Sequence, residues 1–103
     1  MYKDIGEIEF AEKCAADSNA MMLDVRTLAE YDAGYIKGCT MIDFFSPDFQ
    51  QEIQKLDKSK NYYVYCRSGN RSGQACSMMA QMGFNGELYN LGEGILGWTQ
   101  ELE

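Results

Sequence analysis

A chain of 103 residues that is 46% hydrophobic can bury one core and is too apolar to be disordered, so we expect a single domain over residues 1–103. The net charge of −7 argues against nucleic acid and against anionic membranes as partners, because phosphate groups need a basic face. No apolar run approaches the roughly 18 residues of a membrane span and no signal-peptide core opens the chain, so we expect a cytoplasmic location.

The N-terminal third is predicted to hold two extended segments and two helices. Residues 2–5 form a short extended lead, and residues 8–16 form a helix. Residues 21–25 are an apolar run that ends in polar residues, which is typical of a buried parallel strand. Thr27 and Glu30 have the spacing of a capping box, so a short helix should begin at this point.

The middle of the chain is predicted to continue with strand, helix and strand. Residues 39–42 are a candidate strand. Ser46 followed by Pro47 fits an N-cap with proline at the first helical position, and apolar residues then recur at helical spacing from Phe49 onward. Residues 62–65 form the next predicted strand.

The last third is predicted to add a helix, a strand and a final helix. Four apolar residues at positions i, i+3, i+4 and i+7 predict the first of these helices. They are Ala75, Met78, Met79 and Met82. Residues 87–89 read as the last strand, and residues 95–102 as the last helix.

Short strands that alternate with helices imply parallel pairing and right-handed crossovers. The predicted fold is therefore α/β, with a small parallel-stranded sheet flanked by helices on both faces. Ligands of such sheets bind beyond the carboxyl ends of the strands. Cys66 follows one predicted strand end, and Arg26 follows another, so both are expected to face the same crevice.

The loop from residue 66 to residue 72 is the strongest functional signal in the chain. It joins a strand to the N-terminus of a helix, so several backbone N–H groups and the positive end of the helix can converge on one point. Its residues are Cys66, Arg67, Ser68, Gly69, Asn70, Arg71 and Ser72. Such surroundings can lower the pKa of a thiol to roughly 3.5–7.5, and the thiolate is the reactive form. The loop therefore predicts an activated sulfur nucleophile that faces an anionic substrate.

The remaining cysteines suggest no metal and no disulfide. The chain has no C-x-x-C pair and no histidine, so neither a metal site nor any cofactor is predicted. Cys14, Cys39 and Cys76 are expected to be small apolar core residues. Cys76, ten positions after Cys66, is alternatively a resolving thiol.

Three separated motifs resemble the rhodanese family, in the order expected for that family and over nearly the whole chain. Residues 23–26, with 30–31 and 34–38, are similar to the upstream signature. Residues 66–72 are similar to the active-site loop, and residues 91–98 to the C-terminal glycine-and-tryptophan motif. Two positions depart from the usual pattern. Tyr35 stands where histidine is common, and Glu93 stands where glycine is common.

The resemblance implies a rhodanese-like fold and sulfur transfer. Cys66 would take the outer sulfur of thiosulfate or a similar small anionic donor, become a persulfide, and pass the sulfur to a nucleophilic acceptor. That acceptor would be cyanide in an assay and a thiol in the cell, including a thiol carried by a protein. Double displacement through a covalent intermediate gives ping-pong kinetics.

The resemblance also assigns roles around the loop. The backbone N–H groups of residues 67–71 would cradle the persulfide, with Ser72 completing the cradle, and Arg67 would point towards the donor's sulfonate oxygens. Arg71 would either strengthen the positive field or pair with a buried acid. For Asp24 and Arg26 three interpretations stay open: hydrogen-bonded support of the loop, an ion pair between Arg26 and Glu30, or a strand-end pair that holds the fold.

Two other functions are compatible with the same loop. Protein tyrosine phosphatases place five residues between cysteine and arginine, whereas four lie between Cys66 and Arg71, so a cysteine phosphatase or arsenate reductase would have an unusually small cradle. A non-catalytic interaction module is the second alternative. It fits less well because Cys66 and both loop arginines are retained.

Overall fold

A computed structural model describes residues 1–103 and shows a five-stranded sheet in which every neighbouring pair of strands is parallel. The strand order is β1-β5-β4-β2-β3. The strands are β1 (Lys3–Ile5), β2 (Ala20–Asp24), β3 (Cys39–Met41), β4 (Asn61–Tyr65) and β5 (Leu88–Leu91). The helices are α1 (Glu7–Ala16), α2 (Leu28–Asp32), α3 (Phe49–Gln54), α4 (Asn70–Gln81) and a 3₁₀ turn (Ile95–Gly97). The predicted α/β class and parallel sheet are confirmed.

The central strand β4 divides the core into two clusters, one on each face of the sheet. Successive strand residues point to opposite faces, so Tyr62 and Val64 belong to one cluster and Tyr63 and Tyr65 to the other. The first cluster is covered by apolar residues of α3 and α4, and the second by Phe10 of α1. The strand therefore ends in a well-packed position at the middle of the carboxyl edge. No helix is both long enough and apolar enough to cross a membrane.

The start of α3 differs from its prediction. The helix begins at Phe49 with Asp48 at the N-cap position, two residues later than Ser46 and Pro47 suggested. The Ser46 hydroxyl accepts a hydrogen bond from the Asp48 backbone N–H at 3.2 Å, and the Ser46 carbonyl accepts one from the Phe49 N–H at 3.0 Å. Ser46 thus stabilises a turn that precedes the helix, because its hydroxyl competes for local backbone groups.

The final helix predicted over residues 95–102 is wrong, since only the 3₁₀ turn forms. Beyond that turn, Trp98 is extended, with φ −81° and ψ 121°. The Thr99 backbone N–H donates to the Glu7 carboxylate at 2.7 Å, and the Thr99 hydroxyl contacts the same carboxylate at 2.9 Å and 3.0 Å. These bonds to α1 replace the hydrogen bonds that a helix would have supplied.

Candidate functional site

Cys66 is the first residue after β4, and α4 begins four residues later at Asn70. Gly69 lies between them in a left-handed conformation, with φ +96°. That conformation is strained for residues with a Cβ atom, and it lets the chain turn sharply from strand to helix. The loop therefore brings its own N–H groups and those of the first helical turn towards the cysteine.

Three hydrogen-bond donors converge on the Cys66 sulfur. The backbone N–H of Gly69 lies 3.1 Å from Sγ, the N–H of Ser72 lies 3.4 Å from it, and the Ser72 hydroxyl lies 3.3 Å from it. Burial acts to raise the pKa of the Cys66 thiol, but the Ser72 hydroxyl and the N–H groups of Ser72, Ser68 and Gly69 outweigh it, and the pKa is lowered. The loop therefore favours the thiolate.

The sulfur is also deeply enclosed, because Cys66 has 0% of its surface exposed. In this conformation the Cys66 sulfur is closed to solvent. The surroundings of Cys66 are polar on the loop side, where the three donors lie, and apolar on the strand side, where it packs in the core. The residue thus combines a hydrogen-bonded sulfur with a firmly held backbone.

A second turn packs tightly against the loop. The backbone N–H groups of Ile95 and Leu96 donate to the carbonyls of Cys66 and Arg67 at 2.9 Å and 3.1 Å. Gly94 has φ +65°, and a Cβ atom there would lie 2.2 Å from the Arg67 carbonyl oxygen. The exposed Glu93 does not prevent this turn from forming. Residues 94–96 therefore hold the first two carbonyls of the loop.

Arg71 joins the loop to α2. Its guanidinium donates two hydrogen bonds to the Glu30 carboxylate, at 2.8 Å and 2.9 Å, and both side chains are largely buried. Glu30 also completes the predicted capping box with Thr27. The Arg71 hydrogen bond, together with those from Thr27, lowers the pKa of Glu30 to about 2 against the opposing effect of burial. Arg71 thus pairs with an acid, which was one of its two predicted roles.

Asp24 and Arg26 form a buried ion pair at the end of β2. The Arg26 Nη2 lies 2.6 Å from the Asp24 carboxylate, and Nε lies 2.9 Å from it. Burial acts to lower the pKa of Arg26, but the hydrogen bonds and charge of Asp24 outweigh it, and the pKa is raised. The ion pair between Arg26 and Glu30 does not form, because the Glu30 carboxylate binds Arg71. Arg26 contacts Glu30 only at its backbone carbonyl, to which it donates a hydrogen bond of 3.2 Å.

The exposed residues of the loop make few contacts with the protein. Arg67, Ser68 and Asn70 are exposed, and Arg67 takes part in no ion pair. The Asn70 side chain accepts a hydrogen bond from Gln74 at 2.8 Å. Nowhere in the chain do three or more His, Cys, Asp or Glu side chains lie together so that they could hold a metal ion.

Comparison with known proteins agrees with this arrangement. A family model described as "Rhodanese-like domain" matches residues 8–101. The chain belongs to the rhodanese-like family.

Relatives of this rhodanese-like domain cover almost all of it. A sulfurtransferase of Allochromatium vinosum is 29% identical over 97% of the chain and 91% of its own length. A protein named putative sulfurtransferase YtwF of Bacillus subtilis is 32% identical over 96% of the chain and 92% of its own length. The crystal structure of a rhodanese-like domain protein from Staphylococcus aureus superposes with a TM-score of 0.84 at 26% identity, over 98% of this chain and 96% of that one.

Two buried side chains of this rhodanese-like domain support the site and were not predicted from the sequence. The Tyr65 hydroxyl donates to Asp24 at 2.7 Å and accepts from the Ile36 N–H at 3.1 Å. The Asn90 side chain, 2% exposed, donates to the Gly69 carbonyl at 3.1 Å and to Asp4 at 2.8 Å. A polar residue within the apolar strand β5 was the signal that could have singled out Asn90.

The other cysteines differ in their environments. Cys76 is fully buried, as expected, and burial raises the pKa of its thiol to about 12. Cys14 and Cys39 are only half-buried, which departs from the prediction that they belong to the core. Burial raises the pKa of both thiols. Among the four cysteines, Cys66 alone has a lowered pKa.

Proposed function

We propose that this domain is a sulfurtransferase that carries sulfane sulfur on Cys66. The donor is thiosulfate or a similar small anion, and the acceptor is cyanide in an assay and a thiol in the cell. The observation that carries the proposal is the set of three donors within 3.4 Å of the Cys66 sulfur. The names of the relatives, sulfurtransferase and putative sulfurtransferase, support the same class of reaction.

The proposed reaction needs no external oxidant. The Cys66 thiolate attacks the outer sulfur of thiosulfate, the sulfur–sulfur bond of the donor breaks, and its electron pair leaves with sulfite. The acceptor then attacks the outer sulfur of the persulfide, and the Cys66 thiolate is the leaving group. A thiol acceptor gives up its proton to solvent and becomes a persulfide, and cyanide becomes thiocyanate. Each half-reaction is a nucleophilic displacement at sulfur.

In the proposed reaction the loop stabilises negative charge on the Cys66 sulfur and binds the anionic donor. The N–H groups of Gly69 and Ser72 and the Ser72 hydroxyl stabilise negative charge on Cys66 before the attack and on the persulfide after it. Arg67, exposed and free of any ion pair, is proposed to bind the donor's sulfonate oxygens. Arg71 is held by Glu30, whose carboxylate offsets its charge, and it links the loop to α2.

The phosphatase alternative gains no support from Asp24, the acid at the end of β2. Cysteine phosphatases need an acid to protonate the leaving group, and the sequence assigns no aspartate to that role. The Asp24 carboxylate is fully buried, paired with Arg26 and bonded to the Tyr65 hydroxyl, so it is not placed as a free acid. The non-catalytic alternative gives no reason for a thiol with a lowered pKa.

Replacing Cys66 with serine tests the proposal. We expect the wild-type protein to form thiocyanate from thiosulfate and cyanide, and its intact mass to rise by one sulfur atom on incubation with thiosulfate alone. Both signals should disappear in Cys66→Ser while the circular dichroism spectrum is unchanged. Cys14→Ser is the matched control, because Cys14 is a half-buried cysteine of α1 that packs against the other core cluster from Cys66. Undiminished turnover in Cys66→Ser would refute the assignment, and hydrolysis of an aryl phosphate without sulfur uptake would favour the phosphatase.

A further inference from the structure

Three large apolar side chains remain exposed next to the Cys66 loop. Leu28 is 57% exposed, Phe45 is 67% exposed and Leu96 is 61% exposed. The other exposed large hydrophobic residues are Met1 and Leu102, near the ends of the chain, and Ile8 on α1. Apart from Ile8 and the chain ends, the exposed large hydrophobic residues all lie on segments that follow strand ends, and we call these three side chains the apolar rim.

Two members of the rim contact the loop, and the third lies on the helix that binds it. The Phe45 ring lies 5.4 Å from the Arg71 guanidinium. The Leu96 backbone N–H donates to the Arg67 carbonyl at 3.1 Å. Leu28 is the first residue of α2, the helix that binds Arg71 through Glu30. The rim residues follow the ends of β2, β3 and β5, so they surround the end of β4 from several sides.

The charge between the rim residues is positive on the loop side. Arg67 is exposed and has no ionic partner, and residues 61–73 contain no acidic residue. Glu93 is exposed on the turn before Leu96, Asp43 accepts from the Phe45 N–H, and Glu30 pairs with Arg71, so the unpaired positive charge beside the rim is that of Arg67. A surface that combines apolar side chains with an unpaired guanidinium on a body of net charge −7 is suited to an apolar partner with carboxylates at its edge.

Because Cys66 is buried, an acceptor must first contact the residues around the loop, and the rim is the apolar part of that surface. A small acceptor can touch only part of it, whereas a polypeptide can cover all three side chains at once. We propose that the apolar rim docks a protein whose acceptor thiol stands on a protruding segment flanked by apolar and acidic side chains. This inference rests on the proposed sulfurtransferase function. Three side chains make a small interface, which suits a partner that must leave after each transfer.

Two synthetic peptides test the docking surface. One has a cysteine flanked by leucine, phenylalanine and aspartate, and the other has the same cysteine flanked by glycine and serine. Protein loaded with sulfur from thiosulfate is mixed with each peptide, or with cyanide as the small acceptor, and loss of sulfur is followed by intact mass. We expect the apolar acidic peptide to accept sulfur about tenfold faster than the glycine-serine peptide at low concentration, because part of its apolar surface is buried on the rim.

The variant Leu28→Ser/Leu96→Ser should abolish the difference between the peptides and leave transfer to cyanide unchanged. Ile8→Ser is the matched control, because Ile8 is 60% exposed but lies on α1 and should leave the preference intact. Equal rates for the two peptides with the wild-type protein would overturn the proposal, as would a preference that survives in the double variant. A concentration-dependent dimer that is lost in the double variant would assign the rim to a second copy of the chain and would also overturn it.

Sulfur uptake and transfer to cyanide test the sulfurtransferase function, and the preference between the peptides tests the docking surface. Absence of any sulfur uptake, with no transfer to cyanide, would refute sulfur transfer itself. Normal transfer to cyanide without a peptide preference would refute the docking surface alone. Docking is also measured without sulfur transfer, using the Cys66→Ser variant and an apolar acidic peptide in which serine replaces the cysteine. The peptide is added to the variant, and changes in backbone NMR chemical shifts are recorded. Shifts confined to the rim support the proposal, and their absence counts against it.

Discussion

Replacing Gly69 with alanine should disturb the Cys66 loop far more than an equivalent replacement elsewhere. Gly69 has φ +96°, and a Cβ atom added to it would lie 2.2 Å from the Gly92 carbonyl oxygen. Gly38 has nearly the same conformation, φ +94°, but a Cβ atom there would meet nothing within 4 Å. The pair of variants Gly69→Ala and Gly38→Ala therefore separates the cost of a backbone conformation from the cost of a collision.

The two costs have different expected sizes. The left-handed conformation costs an alanine roughly 1–2 kcal/mol, and this is partly offset by about 0.4–1 kcal/mol because alanine restricts the unfolded chain. Gly38→Ala should therefore lower the free energy of unfolding by about 0–1.6 kcal/mol. Gly69→Ala must in addition displace the Gly92 backbone, and overpacking of this kind costs about 1–3 kcal/mol more.

Urea unfolding followed by circular dichroism measures this difference. Displacement of the loop should also lengthen the 3.1 Å contact between the Gly69 N–H and the Cys66 sulfur, so the pKa of Cys66 should rise. The pH dependence of alkylation at Cys66 should shift upward in Gly69→Ala and stay unchanged in Gly38→Ala. Equal free energies of unfolding for the two variants would refute the reasoning, because the close approach to Gly92 would then carry no cost.

Three further predictions concern the groups around the loop. The pKa of Glu30 is lowered to about 2 from 4.5, so its ionised form contributes stability that is complete above about pH 4.5 and is lost as the pH falls towards 2. The difference in unfolding free energy between wild type and Glu30→Gln should therefore be about 1–3 kcal/mol at pH 6 and should shrink below pH 4. A difference that does not change with pH would contradict this role of the Glu30 carboxylate. Tyr65→Phe should lower the unfolding free energy by about 1–3 kcal/mol in urea titrations, because it removes a buried hydroxyl that donates to Asp24 and accepts from the Ile36 N–H. A loss below about 0.5 kcal/mol would show that the site tolerates an unpaired Ile36 N–H. The Cys76 thiol has a pKa of about 12, so iodoacetamide at pH 8 should modify it only after the protein is unfolded in urea. Intact mass counts the modified cysteines, and rapid labelling of Cys76 in the native protein would show that α4 opens.

The sequence was most informative where local pattern and tertiary structure agree. The alternation of apolar runs with helical spacing predicted the parallel sheet, and the carboxyl-edge rule placed Cys66 and Arg26 at strand ends that lie side by side, since β2 and β4 are neighbours. The capping box of Thr27 and Glu30 forms as predicted. These features depend on residues close together in the chain, so their signals survive in a single sequence.

The sequence was least informative where a side chain has a second, distant partner. Glu30 was predicted to cap α2, but its pairing with Arg71 joins residues 41 positions apart and leaves no local pattern. Asn90 supports Gly69 only because the register of β4 and β5 places it opposite Val64. The missing terminal helix has the same origin, since Thr99 binds Glu7 at the other end of the chain.

The two edges of the sheet have a consequence for the behaviour of the protein at high concentration. The edge strands β1 (Lys3–Ile5) and β3 (Cys39–Met41) are each three residues long. A foreign strand needs a longer row of free amide and carbonyl groups to add to a sheet, and short edge strands are a recognised protection against such growth. Fibril formation from the native state should accordingly require local unfolding first, and seeded growth should be slow until the lateral strands detach.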